Sequence, residues 1–431
     1  MTKAPARPWR IWASVALLMI IYCCAFVDRQ LMSLLVSPIK SDLHLDDLQI
    51  GLVQGLALAV FYAVLGLPVG RWVDRGHRPA ILAFGVIAWS FFTALSGAAA
   101  DFWSLFVCRV GVGIGEATVV PVTYSLIADY FDPTWRGRAL GAFGTGVYVG
   151  SGLALILGGA LLTMLNTTSG AHMAATPWRT AFLIAAAPGV LLGLLCWLII
   201  EPRGRVPLVR QSGVRPAAIA LMAVVRRNLG PLITHHIVTA LLAAALYALL
   251  AWTPELMRRH FGLTAGRAGS LTGFTILVTG VFGVLGGGGA CDILLARGVR
   301  GARVIVMISA ALLALPFAAL LFSAKSPAET LAAFGVLVFC LSTLTAAGPA
   351  GITDFYPETF RGVGSAIFQF VVTLIGLGAG PTLVPLLGRL LPNLAGHLSE
   401  TLAVSVVGLL TMAIVAGAIG LPSYARVGRS M

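Results

Sequence analysis

Apolar runs of about 20 residues recur along the whole chain, separated by short polar segments rich in arginine. A run of that length is what an α-helix needs to cross the hydrocarbon core of a bilayer. The runs do not alternate with period two, as the strands of a membrane barrel do. The pattern predicts twelve spans, at residues 11–38, 48–70, 79–99, 102–130, 137–165, 178–200, 229–253, 266–289, 302–323, 329–353, 362–388 and 401–421. The longest polar stretch, Glu201 to Asn228, divides them six and six. It is read as a cytoplasmic linker, residues 201–228, between an N-terminal half, 1–200, and a C-terminal half, 229–431. Within it, Pro216–Arg227 suits either a short amphipathic helix lying on the membrane or an unstructured tether.

Composition supports an integral membrane protein: 58% of the 431 residues are hydrophobic and 10% charged, against about 25% charged in soluble domains. The net charge of +13 is spread over short loops and is topology information, not a nucleic-acid footprint. Loops on one side carry Arg71, Arg75, Arg78, Arg136, Arg138, Arg203, Arg205, Arg210, Arg215, Arg226, Arg227, Arg297, Arg300, Arg303 and Arg361. The opposite loops carry Lys40, Arg179, Arg258, Arg259, Arg267, Lys325 and Arg389. That asymmetry places both termini in the cytoplasm of a cell whose inner (plasma) membrane holds the protein, and it requires an even number of spans. The first apolar run lacks a small-residue cleavage site and reads as a retained helix. The six cysteines lie in or beside apolar runs without paired spacing and are expected as free thiols.

Charges inside the spans point to function. Arg109 and Glu116 sit in the middle of span four, seven residues apart, so they share one helix face. Span one carries Asp28 and Arg29. A charge near the bilayer centre costs about 2.5–3.5 kcal/mol on insertion scales, so these four should face a cavity or one another. Two acids against two bases form a neutral set. One reading is a static ion-pair network that fixes helix packing. The other is a proton-linked site. A carboxylate in low dielectric holds its proton more tightly and a neighbouring arginine loosens it, so moving the arginine switches the acid. Glu116 or Asp28 then carries the proton. Arg109 and Arg29 serve as counter-ions able to hold an anionic headgroup bidentately. Gly111 and Gly115, four apart, offer a small-residue face for close helix packing.

The second half has no matching deep charges. His235 and His236 are read as satisfied interfacial residues near the start of span seven, and Glu255 at its far end as a candidate for an outer gate. A charged wall facing an apolar, hydroxyl-bearing one suits an amphipathic molecule.

The halves also repeat. Asp129-Tyr130-Phe131-Asp132-Pro133-Thr134-Trp135-Arg136-Gly137 follows span four, and Asp354-Phe355-Tyr356-Pro357-Glu358-Thr359-Phe360-Arg361-Gly362 follows span ten. Gly70-x-x-x-Asp74-Arg75-x-x-Arg78 after span two has a weaker echo ending in Asp292, with Ile293 in place of the following base. Six-plus-six repeats are a transporter architecture with substrate bound at midplane. Gly70, Asp74, Arg75, Arg78, Asp129, Arg136, Asp292, Asp354 and Arg361 are the candidate gating residues. Gly70 is expected to allow close helix approach, and Arg75 and Arg78 to pair with Asp129. The plainer alternative is a basic loop that only sets topology.

The motif at Gly70–Arg78 resembles the signature of the major facilitator superfamily. Phe26-Val27-Asp28-Arg29, together with Arg109-Val110-Gly111-Val112-Gly113-Ile114-Gly115-Glu116-Ala117 and Ile127-Ala128-Asp129, is similar to the spinster family within it. The likeness covers roughly residues 20–150 well and the later half in general layout. It implies an all-α integral membrane fold of twelve helices in two pseudo-twofold halves. It also implies a proton-coupled carrier, working by alternating access, of lipid-like molecules such as the lysophospholipids and sphingosine phosphates that animal members are implicated in moving. The same charges would serve a multidrug or organic-anion carrier. The composition suggests a bacterial member. No HExxH, CxxC, Gly-x-Ser-x-Gly or Walker-type loop is present. No catalytic residue, metal or cofactor is therefore expected, and the chain is read as a transporter and not an enzyme. Its partners are protons, the substrate and the bilayer, with no nucleic acid, and it is expected to act as a monomer.

Overall fold

The computed structural model describes residues 8–168, 176–202, 214–357, 360–394 and 396–424. The helices in chain order are α1 (Pro8–Leu34), α2 (Val36–Leu43), α3 (Asp47–Gln54), α4 (Leu56–Arg75), α5 (Arg78–Ser96), α6 (Phe102–Glu116), α7 (Val119–Tyr130), α8 (Pro133–Thr168) and α9 (Pro177–Leu195). There follow α10 (Val214–Arg227), α11 (Leu229–Phe261), α12 (Ala265–Ala296), α13 (Ala302–Ser323), α14 (Pro327–Phe355), α15 (Arg361–Val371), α16 (Gly380–Leu390) and α17 (Leu398–Tyr424). Among the described residues there is no strand, and twelve helical stretches are long and apolar enough to cross a membrane. Spans two and four are each built from two helices, α3–α4 and α6–α7. Span eleven runs from α15 through a π-helical stretch, Val372–Ala379, into α16. The polar segment expected as helix or tether at Pro216–Arg227 is helical, as part of α10.

Local chemistry explains the breaks. Pro121, early in α7, has no N–H to return to Ala117, so the ladder is interrupted at Ala117–Thr118, directly after Glu116. At the break Ala117 N–H donates to the Gly113 and Gly115 carbonyls, and the Thr118 hydroxyl donates to the Gly115 carbonyl. The start of α6 is fixed by a capping box. Asp101 accepts from the Ser104 N–H at 2.7 Å and from its hydroxyl at 2.8 Å. These bonds, the backbone one first, hold the Asp101 carboxyl below its usual range.

The chain forms two compact units, Met1–Pro202 with Leu250–Val278, and Arg203–Leu249 with Thr279–Met431. In the first, α1 lies along α8, α5 along α9, and α6 against both α4 and α5. Glycines permit these approaches. A Cβ on Gly115 would stand 2.5 Å from the Gly85 carbonyl oxygen of α5, and one on Gly113 would stand 2.5 Å from the Leu58 carbonyl oxygen of α4. Gly111 and Gly115 thus seat α6 on α5, as their spacing implied, while Gly113 seats it on α4. Gly152 and Gly159 of α8 do the same for the first turns of α12, where Cβ atoms would stand 2.7 Å from the Gly273 oxygen and 2.9 Å from the Ala265 oxygen. Trp9, Trp72, Trp135 and Trp197 are exposed at one end of this unit, the placement of an interfacial aromatic belt.

In the second unit α13 packs on α14 and α17. The π-helical stretch ends just before Pro381, which lacks the N–H a regular ladder would use. Gly376 and Gly380 bring this segment onto Ala243 and Ala244 of α11.

One expectation is corrected. Gly70 makes no close packing contact among the described residues, where a Cβ would meet nothing within 4 Å. The comparison gives a test. Gly113→Ala should destabilise the purified protein by about 1–3 kcal/mol, the cost of overpacking a tight contact. Gly70→Ala should be neutral or raise stability by up to about 1 kcal/mol through its higher helix propensity. Thermal unfolding of the two variants in detergent checks the pair.

Candidate functional site

The four span charges meet inside the first unit, and they pair across helices. Arg109 of α6 donates from Nη1 to Asp28 Oδ2 of α1 at 2.6 Å. Arg29 of α1 donates from Nε to Glu116 Oε2 of α6 at 2.9 Å, and its Nη2 closes on the same oxygen. Asp28, Arg109 and Glu116 are almost wholly buried. The Arg29 guanidinium also stands over the Phe26 ring at 5.0 Å and the Tyr62 ring at 5.7 Å, contacts that stabilise a cation shielded from water. Each pair is incomplete. Asp28 Oδ1, Glu116 Oε1 and two nitrogens of Arg109, Nε and Nη2, are buried with no hydrogen-bond partner among the described residues. Such groups are costly in low dielectric.

A second cluster closes one end of the unit. Arg78, fully buried at the start of α5, donates from Nη1 to Asp129 at 2.6 Å and to the Ser125 carbonyl and hydroxyl at 3.0 Å. Its Nε and Nη2 reach Glu201 Oε1 at 2.9 and 2.5 Å, and its backbone N–H reaches Glu201 Oε2 at 3.1 Å. The expected Arg78–Asp129 pair is present. Glu201 was not anticipated as its partner, since a lone acid at the edge of a polar stretch carries no pattern. The side chains of Asp74, Arg75, Arg136 and Arg361 lie outside the described residues.

The second unit repeats this arrangement. Arg303 pairs with Asp354, and the Tyr424 hydroxyl donates to Asp354 Oδ2 at 3.3 Å. Arg78 to Asp129 and Arg303 to Asp354 are both 51 residues apart. That equal spacing was the sequence signal for Arg303, which had been read only as a topological base. Asp292 is exposed and makes no ion pair among the described residues. His235 is fully buried, with Phe355, Phe368 and Tyr424 around its ring and the Ala347 and Gly348 backbone beside it. Ser342 and Thr343 donate to carbonyls of their own helix.

At the other end of the first unit, Glu255 of α11 is fully buried. It accepts from Ser37 Oγ at 2.5 Å and Arg259 Nε at 2.6 Å, with Arg258 Nη1 at 3.5 Å. Arg259 also forks onto both Asp47 oxygens at 2.8 Å, Arg258 donates to the Leu34 carbonyl at 3.1 Å, and Lys40 pairs with Asp47. The outer segment of α11 is thereby tied to α1, α2 and α3.

A family model described as Major Facilitator Superfamily matches residues 18–300. The chain belongs to the Major Facilitator Superfamily. A superfamily relative from Mycolicibacterium smegmatis, named an MFS-type efflux pump, is 32% identical over 384 residues, 88% of this chain and 85% of that one. Human protein spinster homolog 1 is 30% identical over 211 residues, 48% of this chain and 38% of its own. The crystal structure of a bacterial homolog to the human lysosomal transporter spinster, inward-facing and occupied, matches with a TM-score of 0.75 at 25% identity. That match covers 99% of this chain and 98% of the other. Within the superfamily the chain is spinster-like. It is a multi-pass membrane transporter and not an enzyme.

The Arg78 cluster yields a graded prediction. Glu201→Ala removes two bonds to a wholly buried guanidinium and one to the Arg78 backbone N–H, and should cost about 1.5–3 kcal/mol. Asp129→Ala removes a partner whose side chain is 40% exposed, and should cost less than about 1 kcal/mol. Unfolding of both variants, measured side by side, checks the order.

Proposed function

We propose that this transporter couples proton movement to the passage of an amphipathic, anionic, lipid-like substrate of the lysophospholipid or sphingosine-phosphate type. The observation that carries the reading is the incomplete pairing of the buried quartet. Among the described residues, Glu116 and Asp28 each keep one carboxylate oxygen free of hydrogen bonds while the other is held by an arginine. That leaves a place for a proton on either acid, and a guanidinium that becomes available when the acid is neutralised. Arg29 and Arg109 are then the groups that hold the substrate's charged head. Energetically the coupling suffices. One proton crossing 100 mV contributes about 2.3 kcal/mol and one pH unit about 1.4 kcal/mol, enough for a concentration ratio of roughly a few hundred. A second reading, export of drugs or small organic anions by the same machinery, is favoured by the name of the Mycolicibacterium smegmatis relative.

Alternating access also needs ends that open and close. Gly70, Asp74, Arg75, Arg78, Asp129, Arg136, Asp292, Asp354 and Arg361 are assigned to one end, and Glu255, Arg259 and Asp47 to the other. Asp354 works with Arg303, and Arg78 with Glu201.

Two experiments test these assignments. In vesicles holding a pH-sensitive dye, lysolipids, sphingosine phosphates and common drugs are added in turn to wild type, Glu116→Gln and Asp28→Asn. Proton movement that depends on one ligand class and disappears in either variant is the expected result. Ligand movement unchanged in both variants reduces the quartet to structural packing. For the outer end, Glu255→Gln removes the buried carboxylate shared by Arg258 and Arg259, whereas Asp47→Asn weakens the more exposed fork to Arg259 and the pair with Lys40. A cysteine placed at the buried Thr253 should therefore react with an impermeant maleimide fastest in Glu255→Gln, more slowly in Asp47→Asn and slowest in the parent.

A further inference from the structure

The seam between α8 and α12 opens into a cleft. Deep in the first unit the two helices touch through Gly152, Leu155 and Gly159 on one side and Gly266, Gly269 and Gly273 on the other. Past Gly159 the side chains grow, with Thr163 still against Gly266. They leave a cleft of about 550 Å³ lined chiefly by Ala160, Thr163, Met164, Thr264, Arg267 and Ser270. It lies at the same end as the Glu255 cluster, at the level where spans five and eight leave the hydrocarbon.

The two walls differ in chemistry. Thr264, Arg267 and Ser270 recur every three residues and form one ridge of α12. Arg267 is exposed, and among the described residues its guanidinium has no ion-pair partner. The Thr264 oxygen accepts from the Arg267 N–H, which leaves its hydroxyl hydrogen to donate outward. On the α8 wall, Thr163 and Thr167 spend their hydroxyl hydrogens on carbonyls of their own helix, so that wall offers mainly the exposed Ala160 and Met164. The apolar face continues away from the cleft through Leu157 and Leu153 on α8 and Leu271 and Phe274 on α12, all exposed. A cation and hydroxyl donors at the membrane interface, above an uninterrupted apolar track, match an anionic headgroup with acyl chains beneath it.

We propose that this cleft is a binding site for an anionic phospholipid of the surrounding membrane, separate from the transport site. Its phosphate is held by Arg267, Thr264 and Ser270, and its acyl chain lies along Met164, Leu157 and Phe274. Because the lipid touches α8 and α12 together, it binds best while the glycine seam is closed. It therefore favours that arrangement by its differential affinity. A groove in the second unit, lined by Phe317, Leu320, Ser323, Ala324, Glu329 and Ala333 among others, carries an acid and no lining cation, and it offers an anionic lipid nothing comparable.

The test is native mass spectrometry of the full chain in detergent, titrated with phosphatidylglycerol or with phosphatidylcholine of the same acyl chains. Wild type, and Arg138→Gln as a control at a distant exposed arginine, should each retain one phosphatidylglycerol. In Arg267→Gln its occupancy should fall about fivefold, the worth of one interfacial cation. Arg267→Lys should recover most of it, and Met164→Trp, which fills the apolar wall, should lose it without altering charge. Equal occupancy in wild type and Arg267→Gln, or in wild type and Met164→Trp, overturns the proposal. So does a wild type that holds phosphatidylcholine as firmly. The readout needs no transport, so it stands or falls independently of the substrate.

Discussion

Four charges in a low-dielectric interior set the terms for the first unit. Left unpaired, each would cost several kilocalories per mole in hydrocarbon, so α1 and α6 must stand where two acids and two arginines can meet. Levels along the helices make this demanding. Asp28 and Arg29 are one residue apart, about 1.5 Å along their axis, while Arg109 and Glu116 are separated by about 10 Å. Arginine side chains have the reach to span such a difference where carboxylates do not. The long, rigid-ended base of each pair therefore comes from the opposite helix to its acid. The glycines of α6 serve the same requirement. Gly111, Gly113 and Gly115 let that helix sink between α4 and α5, which shields Arg109 and Glu116 from lipid on both flanks.

The architecture was legible because a bilayer leaves the chain few options. Lipid demands internally bonded helices of about 20 apolar residues, so span number follows from runs of leucine, valine and alanine without any tertiary knowledge. The quartet was legible for the same reason, since arginine and glutamate inside such a run stand out. Which acid takes which base was not legible. Neighbouring residues on a helix point about 100° apart, and only the packing of α6 decides which of Asp28 and Arg29 faces Arg109. Glu201 and His235 show a second limit. Their surroundings come from distant segments, Arg78 for the first, Phe368 and Tyr424 for the second, and no local spacing encodes that. Gly70 shows the converse. A glycine in a recognisable motif invites a packing explanation, yet among the described residues a Cβ on it would meet nothing within 4 Å.

The repeat adds a comparison within one chain. Arg78–Asp129 and Arg303–Asp354 preserve an arginine at the head of one span and an aspartate at the foot of the next. The third partner has diverged: a carboxylate, Glu201, in the first unit and a phenol, Tyr424, in the second. The first cluster therefore holds two acids against one base, while the second is a neutral pair with a hydroxyl donor. Two anions bind a buried guanidinium more firmly than one, so the first cluster is the harder to pull apart. The same groups in repeated positions need not contribute equally to closing an end.

Charge balance also constrains the proposed coupling. The quartet is neutral as it stands, with two carboxylates facing two guanidinium groups. A proton on Glu116 or Asp28 leaves a net +1 in a site where uncompensated charge is heavily penalised. An anionic headgroup on the released arginine restores neutrality, so proton and anion favour each other's binding and load together. A cationic substrate reverses the logic. It adds to the excess positive charge, and it is accommodated best when the proton has left. Under the proposed coupling, the sign of the substrate's charge would decide whether proton and substrate travel in the same direction or exchange. The same four residues would then serve symport of anionic lipids or proton-exchanging export of cationic compounds, with no change to the residues themselves.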